Sequence, residues 1–239
     1  MENHIGSKPR KIEFFGMPGS GKTTLQTAVS EGLMKEGSEI STFSSSRTSK
    51  RDYLRRFLKA KEVFLFSLLH PRLIMHGIRF LRSRCKISVG GILAFLPSWL
   101  LIKKCYLSEN SAILDQGILQ FIWSVRYSRG RELNNEEYFG VLGKPDLVII
   151  LEAEVSTIVL RLKARSKQQS RLERELDNTE VVDAAVHEFR KICDNLAASS
   201  LGIETLFLEN NNENDLVSNI DTIVRSVVSL EKRIPEVIR

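Results

Sequence analysis

A nine-residue run near the N-terminus, GMPGSGKTT from Gly16 to Thr24, constrains this chain more than any other feature. It contains the pattern Gly16-x-x-x-x-Gly21-Lys22-Thr23. Before it lies a short apolar run, Lys11–Phe15. After it, Leu25, Ala28, Val29 and Leu33 recur at three- and four-residue steps. A strand, a glycine turn and an amphipathic helix in that order make a cradle for phosphate. Gly16, Gly19 and Gly21 let successive backbone N–H groups converge on one anion with no side chain in the way. The helix beginning near Lys22 adds the positive end of its dipole. Lys22 brings a mobile cation to the β- and γ-phosphates, and the Thr23 hydroxyl can ligate Mg²⁺. The expected cofactors are therefore ATP and Mg²⁺. The expected nucleotide-binding set is Gly16, Gly19, Ser20, Gly21, Lys22, Thr23 and Thr24. The choice between ATP and GTP stays open.

The rest of the chain supplies a fold for this loop. After the first strand and a helix over Thr23–Glu36, Gly37 sits where a C-terminal cap belongs. Glu39–Phe43 reads as a second strand, SAILD (Ser111–Asp115) as a third, DLVIIL (Asp146–Leu151) as a fourth and ETLFL (Glu204–Leu208) as a fifth. Helices are expected over Val155–Ala164, over Thr179–Ala198 with Thr179 as N-cap, and over Leu216–Leu230. Alternating strands and helices predict an α/β fold of three layers around a five-stranded parallel sheet. The 239 residues suit one such domain carrying a helical insert.

The insert is marked by its charge. Residues 47–104 hold 14 Lys and Arg against two acids, a net +12, which leaves the remainder of the +6 chain at −6. The segment is also apolar. Pro71 separates RDYLRRFLKAKEVFLFSLL from RLIMHGIRFLRSR, and a third stretch, Ile87–Ile102, runs for 16 uncharged residues broken by Gly90, Gly91 and Pro97. A spanning helix needs about 20 residues. Residues 47–107 are therefore expected to form a packed helical subdomain or a segment lying on a membrane surface. Such a field points to an anionic partner. Three cysteines lie far apart, with no CxxC, and the start MENHIGSKPR lacks the apolar core of a signal peptide. Both features suit a cytoplasmic setting, with membrane-peripheral contact kept open. The four histidines form no metal-spaced set, and Trp99 and Trp123 read as core residues.

Several nucleotide-binding classes lack their marks here. No Asn-Lys-x-Asp element follows a strand, as a GTPase needs. No LSGGQ signature is present. The third strand ends in Asp115-Gln116, where a hydrolytic ATPase carries Asp-Glu. What remains is phosphoryl transfer to a small acceptor. Here the chain resembles the thymidylate kinase and nucleoside/nucleotide kinase branch of P-loop kinases. The resemblance rests on GMPGSGKTT, on ILDQG at the end of the third strand, and on the run PDLVIILEAEVSTIVLRLKARSKQQSRLERELDN followed by VHEFRKICDNLA. It covers residues 11–46 and 108–230, whereas 47–107 match no part of that family.

The resemblance implies a phosphotransferase. Lys22 would hold phosphate, Thr23 and Asp115 would hold Mg²⁺, and Asp115 would also address the acceptor. Arg165 matches the arginine that opens the lid, and Arg171 and Arg174 are candidates to cover the transferring phosphoryl group. Arg47 follows the second strand, where that family meets its acceptor. Gln116 stands where the family carries an acceptor-gripping arginine. A neutral amide cannot hold a phosphate monoester through a charged fork. The acceptor thus stays open among nucleotide, nucleoside and sugar-like molecules, with an anionic acceptor fitting the basic block. Nucleic acid is disfavoured, and a homodimer stays open. The reading kept beside the kinase is an ATP-binding regulatory module, or an ATPase acting at a membrane surface or on an anionic polymer.

Overall fold

The fold is described from a computed structural model that covers residues 10–38, 40–43, 66, 68–129, 135–165 and 171–232. Its centre is a parallel sheet. Strand β1 (Lys11–Gly16) pairs with β3 (Ala112–Leu114) on one side and with β4 (Leu147–Glu152) on the other. Strand β2 (Ser41–Phe43) adds outside β3 and β5 (Glu204–Glu209) outside β4, giving the order β2-β3-β1-β4-β5. β1 and β4 are buried along almost their whole length, as expected of parallel strands covered on both faces.

Alternation along the strands divides two apolar layers. Ile12 and Phe14 of β1 and Leu147, Ile149 and Leu151 of β4 face Leu25, Val29 and Leu33 of α1 (Lys22–Lys35) and Ile223 and Val227 of α9 (Glu213–Lys232). Phe15, Val148 and Ile150 face the opposite layer. That layer is built from α4 (Ile118–Arg129), α5 (Asn135–Leu142), α8 (Thr179–Ala197) and a pair formed by α2 (Pro71–Ser83) and α3 (Val89–Leu107). Trp99 and Trp123 both lie in this core, and the three cysteines are buried and form no disulfide. Helices α6 (Val155–Lys163) and α7 (Arg171–Arg174) follow β4.

The structure departs from the sequence reading in several places. Asn178, not Thr179, caps α8, and its side chain accepts from the Glu180 and Val181 amides. Asn accepts at that position as well as Thr does, and the helix starts one residue later than the Asn. Pro97 does not break the apolar stretch, because α3 runs through it as one helix to Leu107. Pro97 lies on the exposed side, where water can take the carbonyl its ring leaves without an amide. Helices α4 and α5 carry no expectation from the sequence. Most of RDYLRRFLKAKEVFLFSLL lies outside the described residues, as does Arg47.

Candidate functional site

β1 and β3 are neighbours, but the chain leaves them toward opposite ends of the sheet. A crevice at the carboxyl ends of the strands is expected at such a switch point. Both candidate groups lie there. The glycine loop begins at Gly16, where β1 ends, and Asp115 follows directly on β3. Register places Glu13 of β1 beside Leu114 of β3, so β1 runs three residues past the end of β3 to Gly16, and both parallel strands end toward the same edge.

The loop is closed and braced. The Ser20 amide donates to the Met17 carbonyl at 3.1 Å. Gly21 takes φ 95 at the N-cap of α1, a conformation that L side chains rarely adopt. A Cβ on Gly21 would also run into the Asn210 amide nitrogen. Asn210, just past β5, is buried, and its Nδ2 donates to the Ser20 carbonyl at 2.6 Å. Arg161 of α6 donates to the carbonyls of Asn210 at 2.8 Å, Asn211 at 3.2 Å and Gly19 at 3.5 Å. These contacts turn the loop carbonyls toward α6 and the β5–α9 connection. Neither Arg161 nor Asn210 carries a local sequence signal for this role. Their partners lie 49 and 190 residues away, so no local pattern could show them.

Lys22 folds over this loop, donating to the carbonyls of Gly16 at 2.5 Å and Met17 at 2.9 Å. Burial pushes its pKa down to about 7. The nearby Asp115 carboxylate opposes that fall and the Arg165 guanidinium adds to it. Asp115 is only 2% exposed. Lys22, Asp115 and Arg165 therefore share one electrostatic neighbourhood. Thr23 and Thr24 stand exposed in the first turn of α1, and Gln116 is exposed beside Asp115.

Arg165 is held in place. Its Nη1 meets Glu173 Oε1 at 2.7 Å, and the Glu173 side chain is 1% exposed. Glu173 is thus an internal anchor for the arginine. Arg174 is exposed. The Arg171 side chain and residues 166–170 lie outside the described residues, so the lid segment is placed only at its two ends.

One functional group escaped the sequence altogether. Glu13 lies in the middle of β1 and is fully buried. Its Oε1 accepts from the Tyr106 hydroxyl at 2.6 Å and from the Ile118 amide at 2.8 Å, and its Oε2 accepts from the Leu119 amide at 3.3 Å. The carboxylate therefore caps α4 from below, and the helix begins three residues after Asp115. Gly117 lies against it so closely that a Cβ there would overlap the carboxyl group. Burial pushes the Glu13 pKa up, against the three hydrogen bonds that lower it. Its only sequence signal is a lone acid inside the apolar run KIEFF.

The donors present fit the groups the loop pattern implies. Thr23 Oγ1 and the Asp115 carboxylate are the hard oxygen donors that Mg²⁺ prefers. The loop geometry requires its glycines, since a Cβ at Gly16, Gly19 or Gly21 would run into Ser20 and Leu151, Leu162 or Asn210, respectively. The buried Ser20 Oγ and Asn210 Oδ1 at the loop have no hydrogen-bond partner among the described residues. Among the described residues, no group of three or more His, Cys, Asp or Glu is placed to hold a metal ion by itself.

The Lys22 environment has a measurable consequence. A lysine with a pKa of about 7 is half neutral at neutral pH, and bound phosphates favour its ammonium form. Nucleotide binding should therefore take up a proton. The affinity for a metal-free fluorescent ATP analogue is expected to fall as pH rises above 7, by up to about tenfold per unit. A titration that is flat from neutral pH to roughly pH 9 would contradict the assignment.

No family model matches the chain, and no curated protein matches it in sequence. Among solved structures it is similar to deoxyadenosine kinase from M. mycoides, at 16% identity over 92% of this chain and 99% of that one, with a TM-score of 0.49. It is similar to shikimate kinase from Bacteroides thetaiotaomicron, at 14% identity over 92% and 98%, with a TM-score of 0.47. Thymidylate kinase from Ehrlichia chaffeensis shows 15% identity over 93% and 98%, with a TM-score of 0.46. At such distances, function has to be argued from this chain's own residues.

Proposed function

We propose that this chain is a small-molecule kinase that transfers the γ-phosphoryl group of ATP to a hydroxyl-bearing acceptor. The observation that carries the reading is the convergence of two strand ends. The Lys22 ammonium and the glycine cradle stand at the end of β1. The buried Asp115 carboxylate stands at the end of β3, close enough to shift the Lys22 pKa. Phosphoryl transfer needs positioned positive charge around the γ-phosphate and an acidic residue facing the incoming hydroxyl.

The roles follow from placement. Amides of the loop and of the first turn of α1 hold the phosphate chain, and Lys22 leaves the Gly16 and Met17 carbonyls for the phosphate oxygens. The acceptor hydroxyl attacks the γ-phosphorus, the bond to the bridging oxygen breaks, and ADP leaves with the negative charge. Asp115 orients the hydroxyl and takes its proton. Arg165, steadied by Glu173, adds positive charge beside Lys22. Mg²⁺, held by Thr23 and Asp115, would neutralise charge on the phosphates. Gln116 is neutral and exposed where an arginine would grip an acceptor phosphate. That favours an acceptor recognised by hydrogen bonds, such as a nucleoside or a sugar, over a nucleotide.

The test is coupled detection of ADP. ATP alone should give little turnover, because an open site with no acceptor keeps water poorly placed for attack. Fractions of a metabolite extract enriched in neutral hydroxylated compounds should raise the rate by at least about a hundredfold. Turnover that ignores every acceptor but responds to vesicles or polymers would replace this reading with the regulatory ATPase.

A further inference from the structure

Helix α3 is long and apolar enough to cross a membrane by length and composition, yet only 33% of its most apolar window is buried. The burial is divided along its length. The C-terminal half is built into the core through Trp99, Leu100, Ile102 and Cys105, and Tyr106 reaches Glu13. In the N-terminal half, Val89 and Leu93 are each 70% exposed, and Pro97 is exposed too. Steps of four residues set Val89, Leu93 and Pro97 on one line along the helix, with Gly90 and Ala94 on the next. A helix face turned to water ordinarily carries charge, and this one carries none.

The surroundings of this face are basic. Arg82, Arg84 and Lys86, in and beside the turn joining α2 to α3, are exposed, as are Arg72 and Arg79 on α2. Arg84 lies 3.5 Å from Glu137 of α5, an exposed pair worth little in water. No Asp or Glu occurs anywhere from Val63 to Ser108. An exposed apolar line ending in a turn of one charge sign is the pattern of a segment that lies in the headgroup boundary of a bilayer.

We propose that the α2–α3 turn and the outer line of α3 dock this protein on the surface of an anionic lipid bilayer. Val89 and Leu93 enter the headgroup boundary, and Arg82, Arg84 and Lys86 meet lipid phosphates. Charge separates this occupant from a second copy of the chain. Two copies meeting through this face would bring two basic turns together, whereas an anionic bilayer supplies the opposite sign. The inference stands apart from the kinase reading, because none of these residues touches the glycine loop or Asp115.

Flotation of the full chain with vesicles tests it. The protein should rise with vesicles containing phosphatidylglycerol and stay behind with pure phosphatidylcholine, and added salt should weaken the binding. Leu93→Glu should lower the partition coefficient about tenfold, since the side chain would no longer enter the apolar boundary. Arg82→Gln with Lys86→Gln should lower it by about fivefold per residue. Both variants should melt with the wild type and bind the fluorescent ATP analogue equally well. The proposal fails if phosphatidylglycerol vesicles leave the protein behind, or if Leu93→Glu floats like the wild type. It also fails if Leu93→Glu abolishes a concentration-dependent dimer that binds no vesicles, which would assign the face to a second copy.

Discussion

Replacing Lys22 with alanine is expected to remove phosphoryl transfer, by roughly a thousandfold or more, while the fold stays intact. Among the described residues, the side chain's hydrogen bonds go to the Gly16 and Met17 carbonyls. Those carbonyls line a site open to ligand and can turn to water when the ammonium is gone. Stability should even improve slightly near neutral pH. The folded pKa of about 7 lies below the ordinary lysine value of 10.5, so burial disfavours the charged form. Between those values the unfolded chain binds more protons than the folded one, and stability rises with pH across that window. Lys22→Ala should abolish that rise together with the pH dependence of nucleotide affinity. Thermal melts at several pH values and a single-turnover assay with radiolabelled ATP check the two halves. A variant that keeps wild-type nucleotide affinity and turnover would remove the basis for reading the loop as a phosphate site.

How much of this was legible before the structure depended on the range of the interactions. The loop from Gly16 to Thr24 was readable because its chemistry is local, and a glycine pattern between strand and helix has few other uses. Asp115 was readable for the same reason, as an acid ending an apolar strand. Arg161 and Asn210 were not, because they brace the loop from segments 142 and 190 residues further along the chain. Helix α4 was missed because most of its residues are buried, including Ile118, Leu119, Phe121, Ile122 and Val125. A segment covered all round shows no amphipathic period. Pro97 was read as a break because position on the helix, not proline itself, decides whether water can compensate the lost amide. Charged residues are usually exposed, so nothing local marks Glu173 as buried, and its ion pair with Arg165 helps to offset the cost. These misses share one cause. Sequence periodicity reports which face of an element is covered, but not which distant backbone group a buried polar side chain will serve.

Glu13 is the sharpest case, and its removal should be the most damaging change to the fold of the site. In Glu13→Ala the Ile118 and Leu119 amides and the Tyr106 hydroxyl would lose their acceptor inside the protein. An orphaned buried donor costs about 1–3 kcal/mol, so the loss of three is expected to reach roughly 3–9 kcal/mol if no water enters. For a chain of this size, that lowers the melting temperature by at least about 6 °C. Glu13→Gln keeps one oxygen, enough for the Ile118 amide, and is expected to cost far less. It also removes a charge that burial disfavours. Because the folded pKa of Glu13 is raised, the folded state binds more protons between the ordinary carboxylate value and the raised one. Stability through this group therefore falls as pH rises across that window, and the glutamine variant should lose that slope. The alanine should do more than melt early. β1 carries the glycine loop, α4 begins just after Asp115, and Glu13 is the side chain of β1 that caps α4. Without it, the turn between Asp115 and α4 loses its tie to β1. At a temperature where Glu13→Ala is still folded, the Mg²⁺-dependent part of nucleotide affinity should drop about tenfold, while metal-free binding changes little. Equal losses in both affinities, or a melting temperature within about 2 °C of the wild type, would show that the turn before α4 holds its shape without the carboxylate.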